Sequence, residues 1–290
     1  MLTKIRSDGI ILCNAFILRR YLKGNQDMTE YKTLLEQIER AGISPSDTVM
    51  IHSSLKAIGE TEGRAEGLIA AFREYLSDGL LLIPTHTWRN VHRDAPIFDV
   101  RTTEPCIGAL PTVAAFHKDA VRSLHPTHSL AAFGKRAEKY VENESESHTP
   151  TPIHGCWGRL YDEKAKILLA GVGHNRNTYI HSIDERVDIP NRLTAEEIPF
   201  TVIDQNGVAR SHPSRSHYTP GTPDVSANFV KFTDLLANSG ATHISKIGLA
   251  DTIVCDAVKL TEVLVPIFEE AKRRNIDLCT DGRSLTELLG

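Results

Sequence analysis

The sequence lacks the local signatures of several common enzyme and binding classes. Its five cysteines are widely spaced and form no CxxC pair, which predicts reduced thiols in a cytoplasmic protein rather than disulfides or a thiolate zinc site. No glycine-rich phosphate loop is present, and Gly171-Val172-Gly173 is too short for a dinucleotide-binding fingerprint. The GxSxG motif that indicates an α/β-hydrolase nucleophile is also missing.

Charge and hydropathy argue against nucleic acid and membrane partners. The formal net charge is -4, so the chain has no basic excess to attract phosphate backbones or anionic lipid. The apolar stretch 9–18 is too short to span a bilayer, and no small-residue cleavage site follows it. Because a clean helical pattern starts after Met28, we expect residues 1–27 to be an extension and residues 28–290 to be a single domain.

Helical and strand periodicities alternate along the chain from residue 29. Helical spacing predicts helices at 29–41, 65–76, 108–116, 229–236 and 264–271, and short apolar runs predict strands at 48–51, 80–83, 166–173 and 198–203. Two segments without a period, 86–106 and the acidic 142–147, predict loops. Interleaved strands and helices are typical of a layered α/β domain.

Three polar segments follow predicted strand ends, where ligands gather in open α/β sheets. The first, 52–56, contains His52, Ser53 and Ser54 directly after a buried strand. Its amides and hydroxyls suit an anion or a carbonyl oxygen. The alternative is that Ser53 or Ser54 only caps a helix.

The second polar segment, 122–129, combines an arginine, two histidines and three hydroxyls in eight residues. Pro126 restrains its backbone, so the side chains have a fixed presentation. His125 and His128 are three residues apart, which raises the alternative of a metal site. A proline-broken segment does not place both rings on one face, however, and no acidic ligand is adjacent.

The third polar segment, 177–185, follows the strand at 166–173. If a helix begins at Thr178, His181 lies three residues before Asp184 and four before Glu185. Either carboxylate can then orient the imidazole and raise its basicity, which makes His181 a candidate general base. The alternative is an ion pair on a helix surface without a catalytic role.

These segments resemble the aminoglycoside 3-N-acetyltransferase family, and the resemblance covers the chain from about residue 30 to about residue 265. The matching stretches are 47–59, Pro84-Thr85, 108–111, 122–134 and 167–192. Their order and spacing match as well. The pattern RSxHPxxS followed by LLxGVGxxxNTxxH is highly specific.

The resemblance implies a three-layer α/β/α sandwich with a mixed central sheet, and direct acetyl transfer from acetyl-CoA without a metal or an acyl-enzyme. His181 is then the general base, with His125 as the alternative. Asp184 stands where the family usually has Glu, so Glu185 is a second candidate to support His181. On the cofactor side the implied contacts are His52, Ser53, Ser54, Leu55, Thr85, Arg122, Ser123 and Ser129.

The expected acceptor is a small-molecule amine, namely the 3-amino group of a 2-deoxystreptamine aminoglycoside. Many relatives carry Glu after the GxLP segment where this chain has Thr112, which leaves the acceptor side open. One alternative is a metal-dependent hydrolase that uses His125, His128, His181 and His212 or His217. Another is a CoA-binding relative that acts on a different amine or is inactive on aminoglycosides. A homodimer is compatible with the sequence.

Overall fold

The computed structural model describes residues 28–290, so the predicted extension 1–27 lies outside the described residues. The helices are α1 (Tyr31–Arg40), α2 (Leu55–Ile58), α3 (Arg64–Tyr75), α4 (Ala109–Ala115), α5 (Ala137–Val141), α6 (Arg159–Asp162), α7 (Tyr179–Val187), α8 (Thr233–Asn238), α9 (Ala257–Arg273) and α10 (Leu285–Leu289). The strands are β1 (Thr48–Ser53), β2 (Leu80–Pro84), β3 (Ile97–Asp99), β4 (Val121–Arg122), β5 (Leu130–Phe133), β6 (Lys166–Ala170), β7 (Ile198–Ile203), β8 (Ala209–Ser214), β9 (Thr242–Ile247) and β10 (Ala250–Asp256).

The main sheet has the strand order β4-β5-β2-β1-β6-β10-β9. Its centre is parallel, because β1 pairs in parallel with both β2 and β6. On either side of this parallel centre, β5 pairs antiparallel with β2 and β10 pairs antiparallel with β6. The mixed central sheet expected from the resemblance is therefore confirmed.

Helices cover both faces of this sheet. Successive side chains of a strand point to opposite faces, so Val49 and Ile51 of β1 pack into one apolar cluster with α1 and α3. Met50, between them, packs into a second cluster with α7 and α9. The two clusters lie on opposite sides of one sheet, which confirms the three-layer α/β/α sandwich.

The segments predicted as loops contain more structure than expected. Residues 86–106 include β3, which joins β7 and β8 in a small second sheet around Phe98 and Phe200. Because β3 has only three residues and one buried side chain, it is too short to show the alternating apolar pattern of a strand. Within 142–147, residues Glu144–Glu146 form a 3-10 turn in which Glu144 is buried and accepts a hydrogen bond from the Cys156 amide at 2.6 Å.

Most predicted elements are present, and two of the differences lie between residues 225 and 256. The predicted helix at 229–236 is a 3-10 helix over Val225–Phe232 that continues into α8. The hairpin of β9 and β10 was not predicted, because partly exposed β9 lacks a continuous apolar run. Gly248, at a φ of 60°, makes its turn.

Two further observations concern residues 28–290 alone. Cys106, Cys156, Cys255 and Cys279 form no disulfide with one another. Within residues 28–290 no helix is both long enough and apolar enough to cross a membrane.

Candidate active site

The carboxyl ends of β1, β2 and β6 open into a cleft of about 950 Å³. Parallel strands end at the same edge of a sheet, so segments distant in sequence meet there. The lining includes the histidines His52, His86, His128, His181 and His217. All three polar segments singled out in the sequence therefore contribute to one cleft.

Only part of each predicted cofactor-contacting segment reaches the cleft. His52 and Ser53 line it after β1. Ser54 caps α2 instead, since its hydroxyl accepts from the Ala57 amide at 3.3 Å. Leu55 packs against the apolar cluster on the α1 and α3 side of the sheet. At His52 burial lowers the imidazole pKa to about 3, so this ring is neutral at physiological pH.

Thr85, Arg122 and Ser129 lie behind the cleft wall and bond to one another. The Thr85 and Ser129 hydroxyls are 2.9 Å apart, and Arg122 Nε lies 3.3 Å from Thr85 Oγ1. Arg122 also donates to the Thr103 carbonyl at 2.8 Å and stacks on the Phe98 ring. In this arrangement the arginine ties the cleft wall to the small second sheet. Ser123 likewise bonds internally, accepting from the Leu130 amide at 3.1 Å.

His125, the alternative base, is fully buried and has both ring nitrogens engaged. The amides of Thr127 and His128 donate to Nδ1 at 3.1 and 3.0 Å. Nε2 lies 3.0 Å from the Thr149 carbonyl, so it carries the proton and donates. These bonds stabilise the turn that places Thr127 and His128 in the cleft lining. His125 itself does not line the cleft.

His181 lies on α7 with a carboxylate behind it and the cleft in front. Residues three apart share one face of a helix, and His181 Nδ1 lies 3.4 Å from Asp184 Oδ2. Nδ1 is buried, which leaves Nε2 as the nitrogen available on the cleft side. Burial, His217 and Arg192 lower the pKa of His181 well below its usual value, so the expectation that a neighbouring carboxylate raises its basicity is wrong. The ring is therefore neutral, which is the form that accepts a proton.

Arg192 is a site residue that the sequence reasoning missed. Its Nε lies 3.4 Å from Asp184 Oδ2, and its other two nitrogens pair with Asp277 at 2.8 and 2.5 Å. Burial raises the pKa of Asp184 to about 7, and Arg192 opposes that rise. The sequence contained one indication of this role, because Arg192 is the last residue of the 167–192 stretch that resembles the family.

Glu185 faces a different histidine from the one expected. Its Oε1 lies 3.5 Å from His217 Nε2, while the Thr151 amide and hydroxyl donate to it at 2.8 and 2.7 Å. Burial alone would raise the pKa of Glu185, but the contacts with His217, Thr149 and Thr151 outweigh it and lower the pKa. Asp184 and Glu185 therefore serve two different rings.

The cleft histidines pack ring against ring. His217 stacks on His181 with centroids 4.1 Å apart, and its edge meets His128 at 4.8 Å. His128 in turn contacts His86 at 4.6 Å. Burial and mutual repulsion lower the pKa values of His86 and His128 well below the usual range. Across residues 28–290 no three or more His, Cys, Asp or Glu side chains are grouped so that they could hold a metal ion.

Comparison with known proteins identifies the family. A model of the aminoglycoside 3-N-acetyltransferase family matches residues 50–269. The chain belongs to this family. An aminoglycoside N(3)-acetyltransferase III of Salmonella sp is 30% identical over 190 residues, which are 58% of this chain and 65% of that protein. The chain thus spans about two thirds of that relative's length. An aminoglycoside N(3)-acetyltransferase VII of Streptomyces paromomycinus is 25% identical over 264 residues, 82% of this chain and 90% of the relative.

Solved structures of aminoglycoside acetyltransferases share the fold. AAC(3)-Xa superimposes with a TM-score of 0.73 at 22% identity, covering 87% of this chain and 96% of that one. AAC-IIIb in a binary complex with CoASH gives 0.72 at 20% identity, over 85% and 97% of the two chains. AAC-VIa bound to sisomicin gives 0.69 at 21% identity, over 83% and 97%.

Proposed function

We propose that this chain transfers an acetyl group from acetyl-CoA directly to an amine, with the 3-amino group of a 2-deoxystreptamine aminoglycoside as the expected acceptor. The observation that carries the proposal is the placement of His181, which has a buried carboxylate at Nδ1 and the cleft on its other side. Membership of the aminoglycoside 3-N-acetyltransferase family supports the same reaction class.

The cleft suits an extended thioester ligand. His52 and His86 line it, and in the described part of the chain their Nε2 atoms are buried without a hydrogen-bond partner. Buried polar atoms are normally satisfied, so both suit a polar ligand group. Arg89 and Arg93 on the same lining complement the phosphates of CoA. When bound, acetyl-CoA supplies an activated carbonyl with a good leaving group.

The residues of the chain accept the amine proton and stabilise the charges that develop during the transfer. As the neutral amine attacks the thioester carbonyl, His181 Nε2 accepts an amine proton, and Asp184 stabilises the imidazolium that results. The oxyanion needs a fixed donor. The Thr85 hydroxyl is already bonded to Ser129, and the Ser54 amide donates to the Ala170 carbonyl. Leu55 is not among the lining residues, so within the 52–55 segment the candidates are the backbone amides of His52 and Ser53, which do line the cleft.

A thiol-release assay with purified protein tests the proposal. Acetyl-CoA is offered with aminoglycosides and with simpler amines, because the cleft lining carries Arg89, Arg93 and Arg176 beside Asp94 and Asp224 and does not by itself select a polycation. We expect amine-dependent CoA release and an acetylated product by mass spectrometry, both lost in His181→Ala. Absence of transfer to every amine, or full activity in His181→Ala, contradicts the proposal.

A further inference from the structure

Two histidine–carboxylate pairs stand side by side in the cleft, and the proposed function uses only one of them. In the first, His181 lies 3.4 Å from Asp184, and in the second His217 lies 3.5 Å from Glu185. The two imidazoles stack with centroids 4.1 Å apart and planes 30° from parallel. Both rings line the same cleft.

The two rings present the same chemistry in opposite orientation. His181 turns its buried Nδ1 toward Asp184, and His217 turns its buried Nε2 toward Glu185. In each case the second ring nitrogen is left for the cleft. A neutral imidazole with a carboxylate at one nitrogen is a proton acceptor at the other. The site therefore holds two proton acceptors within reach of one ligand.

The second pair is built into the fold rather than placed on a mobile surface. Glu185 is held by Thr149 and Thr151 and is only 7% exposed at its side chain. The His217 backbone bridges to Leu193, and the Tyr218 amide donates to the Arg192 carbonyl at 2.9 Å. The segment that carries Arg192 to Asp184 thus also holds His217 in place.

The reaction has a proton requirement that one base does not meet. An alkyl amine arrives as an ammonium ion and must lose one proton before it becomes nucleophilic. It loses a second proton as the amide forms, and the departing sulfur takes up one. The balance is R–NH3⁺ plus acetyl-CoA giving the acetamide, CoA–SH and H⁺, so one proton leaves for water and one moves from nitrogen to sulfur.

We propose that His217, positioned by Glu185, removes the ammonium proton and passes it to water, while His181 carries the second proton from nitrogen to sulfur; this rests on the proposed function. The C–N bond forms and the C–S bond breaks only in the second stage. Two imidazolium rings stacked at 4.1 Å repel each other, so His217 discharges its proton before His181 becomes charged. The other titratable groups around the rings are Asp184, Glu185, His128, Arg192 and Asp224.

The pH dependence of kcat/KM separates the two roles. In His217→Gln we expect a loss of about 10² at neutral pH, recovering toward wild type as the pH approaches the pKa of the acceptor amine. Glu185→Gln has the same profile with a smaller loss, and Glu185→Asp regains part of it. His181→Gln loses activity at every pH. A His217→Gln loss that does not recover with pH, or no loss at all, overturns the proposal.

A matched control is available in a second histidine–glutamate pair. His148 lies 3.6 Å from Glu197 but is 62% exposed at its side chain and does not line the cleft. His148→Gln and Glu197→Gln therefore keep the wild-type profile. If His217→Gln fails to fold, as judged by circular dichroism, the Glu185→Gln profile decides.

Imidazole NMR of the ligand-free protein tests the His217–Glu185 pair without relying on acetyl transfer. If wild type transfers acetyl to no amine, the proposed function fails, and imidazole NMR still tests the pair. We expect the ring nitrogen chemical shifts of His217 to change in Glu185→Gln and to stay unchanged in Glu197→Gln, because Glu185 is the carboxylate that lies 3.5 Å from His217 Nε2. Unchanged His217 ring shifts in Glu185→Gln overturn the pairing whatever the activity.

Discussion

Arg192→Met tests whether the Arg192–Asp184–His181 chain acts as one unit. Arg192 is 3% exposed, and its Nε lies 3.4 Å from the Asp184 carboxylate. With an effective dielectric constant of about 20, opposite charges at that distance attract by about 5 kcal/mol. Burial already raises the pKa of Asp184 to about 7 against this attraction. Without Arg192 the pKa rises further, and the carboxyl is neutral at physiological pH.

A neutral Asp184 no longer stabilises the His181 imidazolium. We therefore expect Arg192→Met to lower kcat by about 10², with a smaller change in KM. Asp184→Asn produces the same neutral group directly and gives a loss of similar size. Each substitution leaves position 184 without its negative charge. The double variant Arg192→Met with Asp184→Asn therefore loses no more activity than either single variant.

Steady-state kinetics of the four proteins in this cycle provide the measurement, with amine-dependent CoA release as the assay. Folding is checked by chemical denaturation, because breaking a buried ion pair costs about 3–5 kcal/mol and Asp277 also loses its partner. Additive losses in the folded double variant refute the reasoning, since they mean that Arg192 and Asp184 act independently. So does an Arg192→Met protein that keeps wild-type kcat.

The remaining predictions concern the base, a buried acid and the N-terminal stretch. His181→Ala lowers kcat by about 10² to 10⁴ while acetyl-CoA binding by calorimetry stays nearly intact; if His125→Ala is the variant that loses turnover instead, the roles are reversed. Glu144 has its pKa raised by burial from 4.5 to about 7, so its stabilising protonated form is lost as the pH rises through about 7. Glu144→Gln then gains about 3 kcal/mol relative to wild type between pH 4.5 and pH 8, and parallel pH profiles in urea titrations would contradict this. A chain starting at Met28 stays soluble and active, and an insoluble or inactive product shows that residues 1–27 are required.

The sequence by itself determined the layered fold and the place of the site. Apolar runs at 48–51 and 80–83 identify buried strands because few other arrangements bury such runs, and polar residues directly after them lie at a strand end. The i, i+3 spacing of His181 and Asp184 predicted their contact, since helix geometry is local. Ser54 as a helix cap was likewise readable, because capping involves neighbouring residues.

The tertiary structure decided which polar residues face the cleft and which partners they take. Thr85 lies between the cleft-lining Pro84 and His86, yet its side chain points into the protein because side chains alternate along an extended segment. Glu185 is one residue from Asp184, and the 100° turn of a helix sends it to His217 instead of His181. His217 and Arg192 reach the site through the pairing of segments 192–194 and 216–218. Such pairing depends on contacts between distant parts of the chain, which no local pattern encodes.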